Sequence, residues 1–258
     1  MVEIGVGQDD VADVVPAGAD RVQSDADGRR AARGAGVNEY HAGVVRAHAA
    51  GYVAPQRERV RLATRRQIRQ AARSLFLERG YGGTTMDLVA ATAEVSARYI
   101  HMTFGGKAEL FSEVIQVAIA GDDEPVPLEK RPHWIAMLDA GGPTTLAAFA
   151  ATSTAILRRT AGLLAVADDA AAADEHLAAL RDRGRRRRLA DCAEVVAALS
   201  RQQALKRDVV PTEAADVLYA LSSPATYQML VDERGWSAER YQQWLADTTT
   251  CELLQDTR

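Results

Sequence analysis

Aromatic residues make up only 5% of this 258-residue chain, and it holds just two cysteines, Cys192 and Cys251. They stand far apart, with no CxxC or Cys/His spacing of the kind that holds zinc, and read as thiols in a reducing cytosol. No run of about 18 apolar residues is present, which excludes a transmembrane helix. The opening MVEIGVGQDDVADVV is acidic and lacks the apolar segment of a signal peptide, so the expected location is cytoplasmic. Glycine-rich phosphate loops, clustered metal ligands and a nucleophile elbow are all missing. Of the histidines at 41, 48, 101, 133 and 176, only His176 has an acidic neighbour, Glu175. An enzyme is therefore not expected, nor any metal or cofactor.

What is present favours helices. Apolar residues reach 47% and charged residues 26%, alanine is abundant, and β-branched runs are scarce. The length permits one large domain or two smaller ones. The net charge of −4 is unevenly distributed. Between Arg57 and Arg79 eight arginines stand against Glu58 and Glu78, a local balance of +6. Attraction to phosphate is felt within about 8 Å at physiological salt, so the local excess outweighs the global sum.

Residues 1–55 differ from the remainder: rich in Ala, Gly, Val and Asp, they show no helical apolar stripe, and disorder is predicted. Two explanations stand. One is a flexible arm adding phosphate contacts through Arg29, Arg30 and Arg33; the other is a natural start near Val53 or Val60. The second is favoured, because the helical pattern begins abruptly after Pro55.

A first helix is predicted from about Arg57 to Arg79, with Ile68, Ala71, Ala72, Leu75 and Phe76 on one face and Gly80 closing it. Thr84 or Thr85 caps a second helix that ends near Glu94. Ser96 caps a third and very short one, from Ala97 to about Thr103. After Gly105-Gly106, Lys107 opens a fourth, with Leu110, Phe111, Val114, Ile115 and Ala118 aligned. A short helix following such a turn is able to enter a DNA major groove. From His133 onward the patterns are helical throughout, at about 133–140, 144–160, 162–170, 174–204, 212–222, 224–234 and 237–254. The fold class is all-α: residues 56–106 form a helix-turn-helix head, and 107–258 a larger helical body.

The order of residues adds a resemblance. Ile68, Ala71-Ala72, Leu75-Phe76, Gly80-Tyr81, Thr84-Thr85, Ala90, Val95-Ser96, Ile100, Phe104, Lys107 and Leu110-Phe111 make segment 64–111 resemble the DNA-binding domain of the tetracycline-repressor (TetR) family of bacterial regulators. Residues 230–254 look like that family's closing helices. The resemblance implies a ligand-responsive repressor that binds a palindromic, double-stranded operator as a homodimer. The start of the second helix, with the Thr84 and Thr85 hydroxyls, would grip a phosphate. The third helix would read the groove, with Ser96 as its cap and Ala97, Arg98 and Tyr99 on its first turn. Arg98 either forks onto guanine O6 and N7 or contacts phosphate. Lys107 would reach phosphate as a point charge, and Arg65 and Arg66 either do likewise or are simply solvated.

Three positions depart from the family pattern: Glu94 stands where the turn usually has glycine, Tyr99 replaces Thr, and His101 replaces Tyr. Glu94 puts an acid on the DNA side at a site that calls for positive φ. His101 either donates one hydrogen bond to phosphate or packs on the head's core. A second reading follows, a helical small-molecule- or partner-binding protein with a degenerate DNA reader.

In the body, the resemblance implies a small-molecule effector pocket, with Trp134, Met137, Phe149, Ile156 and Leu180 as apolar lining and Thr152 and His176 as polar points. It also implies a two-fold bundle, for which Val217, Leu218, Leu221, Tyr227, Leu230, Trp244 and Leu245 are interface candidates. Each of these residues serves equally as internal core. The run RDRGRRRR at 181–188 reads as a charged helix face paired with nearby acids, or as a second nucleic-acid or acidic-partner patch, the former favoured.

Overall fold

Helical periodicity carries through into ten α-helices in the computed structural model, which describes residues 56–124 and 126–255. They are α1 (Gln56–Gly83), α2 (Met86–Thr92), α3 (Ala97–Phe104), α4 (Lys107–Ala120), α5 (Pro132–Asp139), α6 (Gly142–Ala170), α7 (Glu175–Arg201), α8 (Pro211–Leu221), α9 (Pro224–Tyr227) and α10 (Ala238–Leu253). A π-helical stretch, Gln228–Glu233, continues α9. No strand forms among the described residues; one isolated bridge pairs Leu205 with Leu254. The expectations for residues 1–55, including Arg29, Arg30 and Arg33, lie outside the described residues.

Most boundaries sit where the local chemistry puts them. Gly80 takes φ 68, which breaks α1 where the sequence places its end, and Tyr81–Gly83 form a further turn. Gly121 closes α4 at φ 86, and Asp174 caps α7 by accepting from the backbone N–H groups of His176 and Leu177. The break expected near Gly162 does not occur: α6 runs unbroken for 29 residues, about 43 Å at 1.5 Å per residue. Gly162 serves close approach instead. A Cβ there would lie 2.9 Å from Leu77 Cδ2, so the missing side chain lets α6 settle against α1.

Three apolar clusters hold the chain together. The first gathers Ile68, Leu75, Phe76, Val89, Ile100, Phe111 and Val114 and is completed by Leu163 and Ala167 of α6 and Leu177 of α7. Phe76, Tyr81 and Phe111 form a ring cluster in it, with Phe76 and Phe111 centroids 4.5 Å apart. The second lies among α5, α6, α7 and α8 around Trp134, Phe149, Val195 and Leu218. The third joins α6 to α10 through Leu157, Tyr227, Tyr241 and Leu245. Since α6 contributes to all three, it is the common spine.

Candidate nucleic-acid interface

Helices α2 and α3 meet through a tight turn. The Val95 N–H reaches the Ala90 carbonyl (3.0 Å) and the Glu94 N–H reaches that of Ala91 (3.3 Å), the paired bonds of a Schellman closure. That closure needs a left-handed residue, and Glu94 takes it at φ 52, at a cost of about 1 kcal/mol for a residue with a Cβ. Gln67 of α1 holds the turn by donating to the Ala93 carbonyl (3.1 Å). Ser96 then caps α3, its hydroxyl oxygen accepting from the Tyr99 N–H (3.2 Å).

Ile100 and Phe104 bury one side of α3 in the first cluster. The opposite side presents Arg98, His101 and Met102, spaced i, i+3 and i+4 along one face. Met102 is 77% exposed and was not among the residues singled out from the sequence. Its signal was available: it is an apolar residue lying off the buried stripe. Ala97 and Tyr99, expected to face the groove, are half-buried and pack against the head's core.

Several other expected DNA contacts are committed within the protein. Thr84 is fully buried and its hydroxyl donates to the Gly80 carbonyl (2.9 Å), so it shapes the turn and is not a surface grip. Thr85 stays exposed and caps α2, its oxygen accepting from Leu88 N–H (3.1 Å). The Lys107 ammonium turns back to the Tyr81 carbonyl (2.9 Å) and lies 4.1 Å from the centre of the Tyr81 ring. Burial, with the Asp174 carboxylate nearby, pushes the Tyr81 phenol up to about 12. His101 Nδ1 is 2.9 Å from the Gly105 carbonyl, which only accepts, so Nδ1 carries the proton. A neutral His101 thus has no N–H left for phosphate, and only the imidazolium offers Nε2–H.

Half of the α1 arginines are paired with carboxylates of the same chain. Arg65 makes a two-pronged pair with Glu113 and lies over the Phe104 ring, while Arg69 bridges Glu113 and Asp123. Arg66 also pairs with Asp123 (2.6 Å), and Arg61 with Glu58 (2.7 Å). Burial acts to raise the Glu113 pKa, but the hydrogen bonds and charges of Arg65 and Arg69 outweigh it and hold the carboxyl below its ordinary value. Arg65 is thus a clamp between α1 and α4, neither a free phosphate ligand nor a solvated charge.

The expected effector-pocket residues are not brought together. Trp134, Met137 and Phe149 are closely packed in the second cluster, with the Trp134 indole N–H on Glu194 (3.1 Å). Thr152 and Ile156 are half-buried on α6. His176 and Leu180 line a separate cleft of about 340 Å³ against α4. Among the interface candidates, Leu218, Tyr227 and Leu245 are internal core, whereas Val217, Leu221, Leu230 and Trp244 are only partly covered. In the arginine run, Arg181, Arg185 and Arg187 pair with Asp182, Asp168 and both Glu129 and Asp191, and Arg188 lies over the Tyr219 ring. Much of that run is therefore a paired helix face.

Residues 68–114 match the model of bacterial regulatory proteins of the tetR family. That stretch spans the helix-turn-helix and the start of α4, so the likeness to the tetR family is one of the DNA-binding segment. Solved structures of similar fold cover nearly their whole length. NalD, the secondary repressor of the MexAB-OprM multidrug efflux pump in Pseudomonas aeruginosa, is 20% identical with a TM-score of 0.57, over 76% of this chain and 99% of its own. The SmeT–triclosan complex is 18% identical with a TM-score of 0.60, over 75% of this chain and 93% of SmeT. A putative regulator from Saccharomonospora viridis in complex with choline is 20% identical with a TM-score of 0.57, over 74% and 98%. No curated protein sequence matches the chain. Members of the tetR family are DNA-binding regulators and not enzymes, and this chain has their fold, a helix-turn-helix head on a helical body. Among the described residues, no helix is long and apolar enough to cross a membrane.

Proposed function

We propose that this chain is a cytoplasmic, ligand-responsive transcriptional repressor of the tetR family that binds a palindromic operator as a homodimer. The observation that carries the reading is the outward face of α3, where Arg98, His101 and Met102 project from a helix fixed behind by Ile100 and Phe104. On such a face an arginine forks onto guanine and a thioether meets the methyl of thymine. Two chains related by a two-fold axis would set their α3 helices at half-sites about one helical turn apart. A small molecule that binds one geometry of the dimer better would shift the population and change operator affinity. NalD is a repressor and the SmeT structure holds triclosan, which supports both parts of this reading by similarity of fold.

The test is fluorescence anisotropy on DNA flanking the protein's own coding region across a salt series, with shuffled DNA as control. Tight binding to the flanking DNA alone, weakening steeply with salt, is the expected result. Arg98→Ala should weaken it by about 1–3 kcal/mol and leave thermal stability unchanged. Equal, weak binding to all DNA, including fragments selected from random sequence, would favour the degenerate reader, to which the internally paired Arg65 and Arg69 and the acid at Glu94 point.

A further inference from the structure

Where α1, α4 and α6 meet, a cleft of about 440 Å³ opens, within the size range of small-molecule sites. Its floor is apolar, made by Val114, Val117 and Ala118 of α4, and its rim carries two carboxylates, Asp123 and the Arg131-paired Asp122, and four guanidinium groups, Arg66, Arg69, Arg73 and Arg159. These four are not equivalent. Arg66 and Arg69 are paired with carboxylates, as described above. Arg73 and Arg159 have no carboxylate within 4.0 Å among the described residues, and each bonds only to backbone. One Arg73 N–H goes to the Arg159 carbonyl (2.9 Å), and Arg159 gives two, to the carbonyls of Ala118 (2.7 Å) and Ile119 (3.0 Å). A guanidinium has five N–H donors, so both keep unused hydrogen-bonding capacity beside the cleft.

Arg159 is also held in place. Gly121, at φ 86, passes so close that a Cβ there would meet the Arg159 guanidinium at 3.1 Å. The side chain therefore lies wedged against the end of α4, where its charge complements the last carbonyls of that helix. Burial, helped by the charges of Arg131 and Arg158, holds the Arg159 pKa below the ordinary arginine range against the opposing pull of Asp122.

We propose that this cleft is a binding site for a small organic anion, a carboxylate on a short apolar body. Its head group pairs with Arg73 and Arg159, and its body lies on Val114, Val117 and Ala118. Planar guanidinium forks match a carboxylate, and half-buried pairs of this kind are stronger than those in open water. The site is separate from Trp134 and Phe149 in the body's core. It joins α1 of the head to α6 of the body, so an occupant is a clamp between them.

Octanoate is the probe and octanamide, equal in shape but neutral, its control, with full-length protein and no DNA. Octanoate should bind once per chain by calorimetry and raise Tm by about 5–10 °C at about 100 times its Kd, while octanamide leaves Tm unmoved. Arg73→Gln and Arg159→Gln should each weaken octanoate binding about tenfold. If Arg159→Gln fails to fold, having lost its grip on α4, Arg73→Gln alone decides. Equal binding of octanamide overturns the proposal, as does a wild-type octanoate affinity in Arg73→Gln, or the same Tm rise from sulfate at matched ionic strength. Because no DNA is present, failure here leaves the operator-binding reading untouched, and the reverse also holds.

Discussion

The head and the body are made of the same material, amphipathic helices, but different distances along the chain determine them. In the head, α2 and α3 are seven and eight residues long, and their ends are fixed by neighbours: Thr85 and Ser96 cap them, and Glu94 turns between them. In the body, α6 and α7 run for 29 and 27 residues, and their faces are divided among partners far apart in sequence. Short-range restraint makes a segment readable residue by residue. Long-range sharing makes each apolar residue ambiguous, because any face of α6 has some core to fill.

The largest way to break this contrast is Glu113→Ala. If the head were locally determined throughout, removing a carboxylate from the connecting helix would matter little. Instead it leaves Arg65 and Arg69 without their shared partner, and Arg69 has only 10% of its side chain exposed. Unfolding stability should drop by about 3 kcal/mol and Tm by about 6–12 °C, read by thermal denaturation. A loss below about 0.5 kcal/mol would show that the head holds without the clamp.

In the body the corresponding probe is Asp191, whose carboxyl is pushed up to about 6, first by burial and then by Glu129 and Glu194, against the pull of Arg187. An acid whose pKa is raised on folding contributes stability that is full below its unfolded value, about 3.9, and lost as pH rises through about 6. Tm should therefore fall between pH 4 and pH 7 by an amount corresponding to about 2 kcal/mol, and Asp191→Asn should flatten that part of the profile. A profile identical in the variant would place the titration elsewhere.

The smallest effect sharpens the contrast within the head. Glu94→Gly relieves a left-handed backbone and removes an acid from the DNA side; it should add about 1 kcal/mol and 2–4 °C to Tm, and tighten DNA binding. A Tm that stays level or falls would mean that the carboxylate contributes more than the backbone strain costs.

Legibility followed the same division. The caps, the turn, the strained position 94 and the inward stripe of α4 could all be read from residues a few places apart. What escaped needed the third dimension. Arg65 reads as a surface cation until Glu113, 48 positions on, is placed beside it. Gly162 reads as a helix breaker until Leu77 is seen to press on it. His101 has a donor to offer until the Gly105 carbonyl takes it. In the body, Trp134 and Phe149 are large apolar residues suited to a pocket or a core alike, and only the packing assigned them to core.

The end of α6, the residue that follows it and the start of α7 supply Leu163, Ala167, Ala171 and Leu177 to the same buried cluster as Ile68 and Phe76. The head is for that reason not a detachable module. A fragment cut after α4 would carry an open wall, and a chimera joined at residue 106 would inherit a reader from one parent and part of its foundation from the other. Single replacements on the outer face of α3 leave that shared foundation untouched, whereas exchange of a whole head does not.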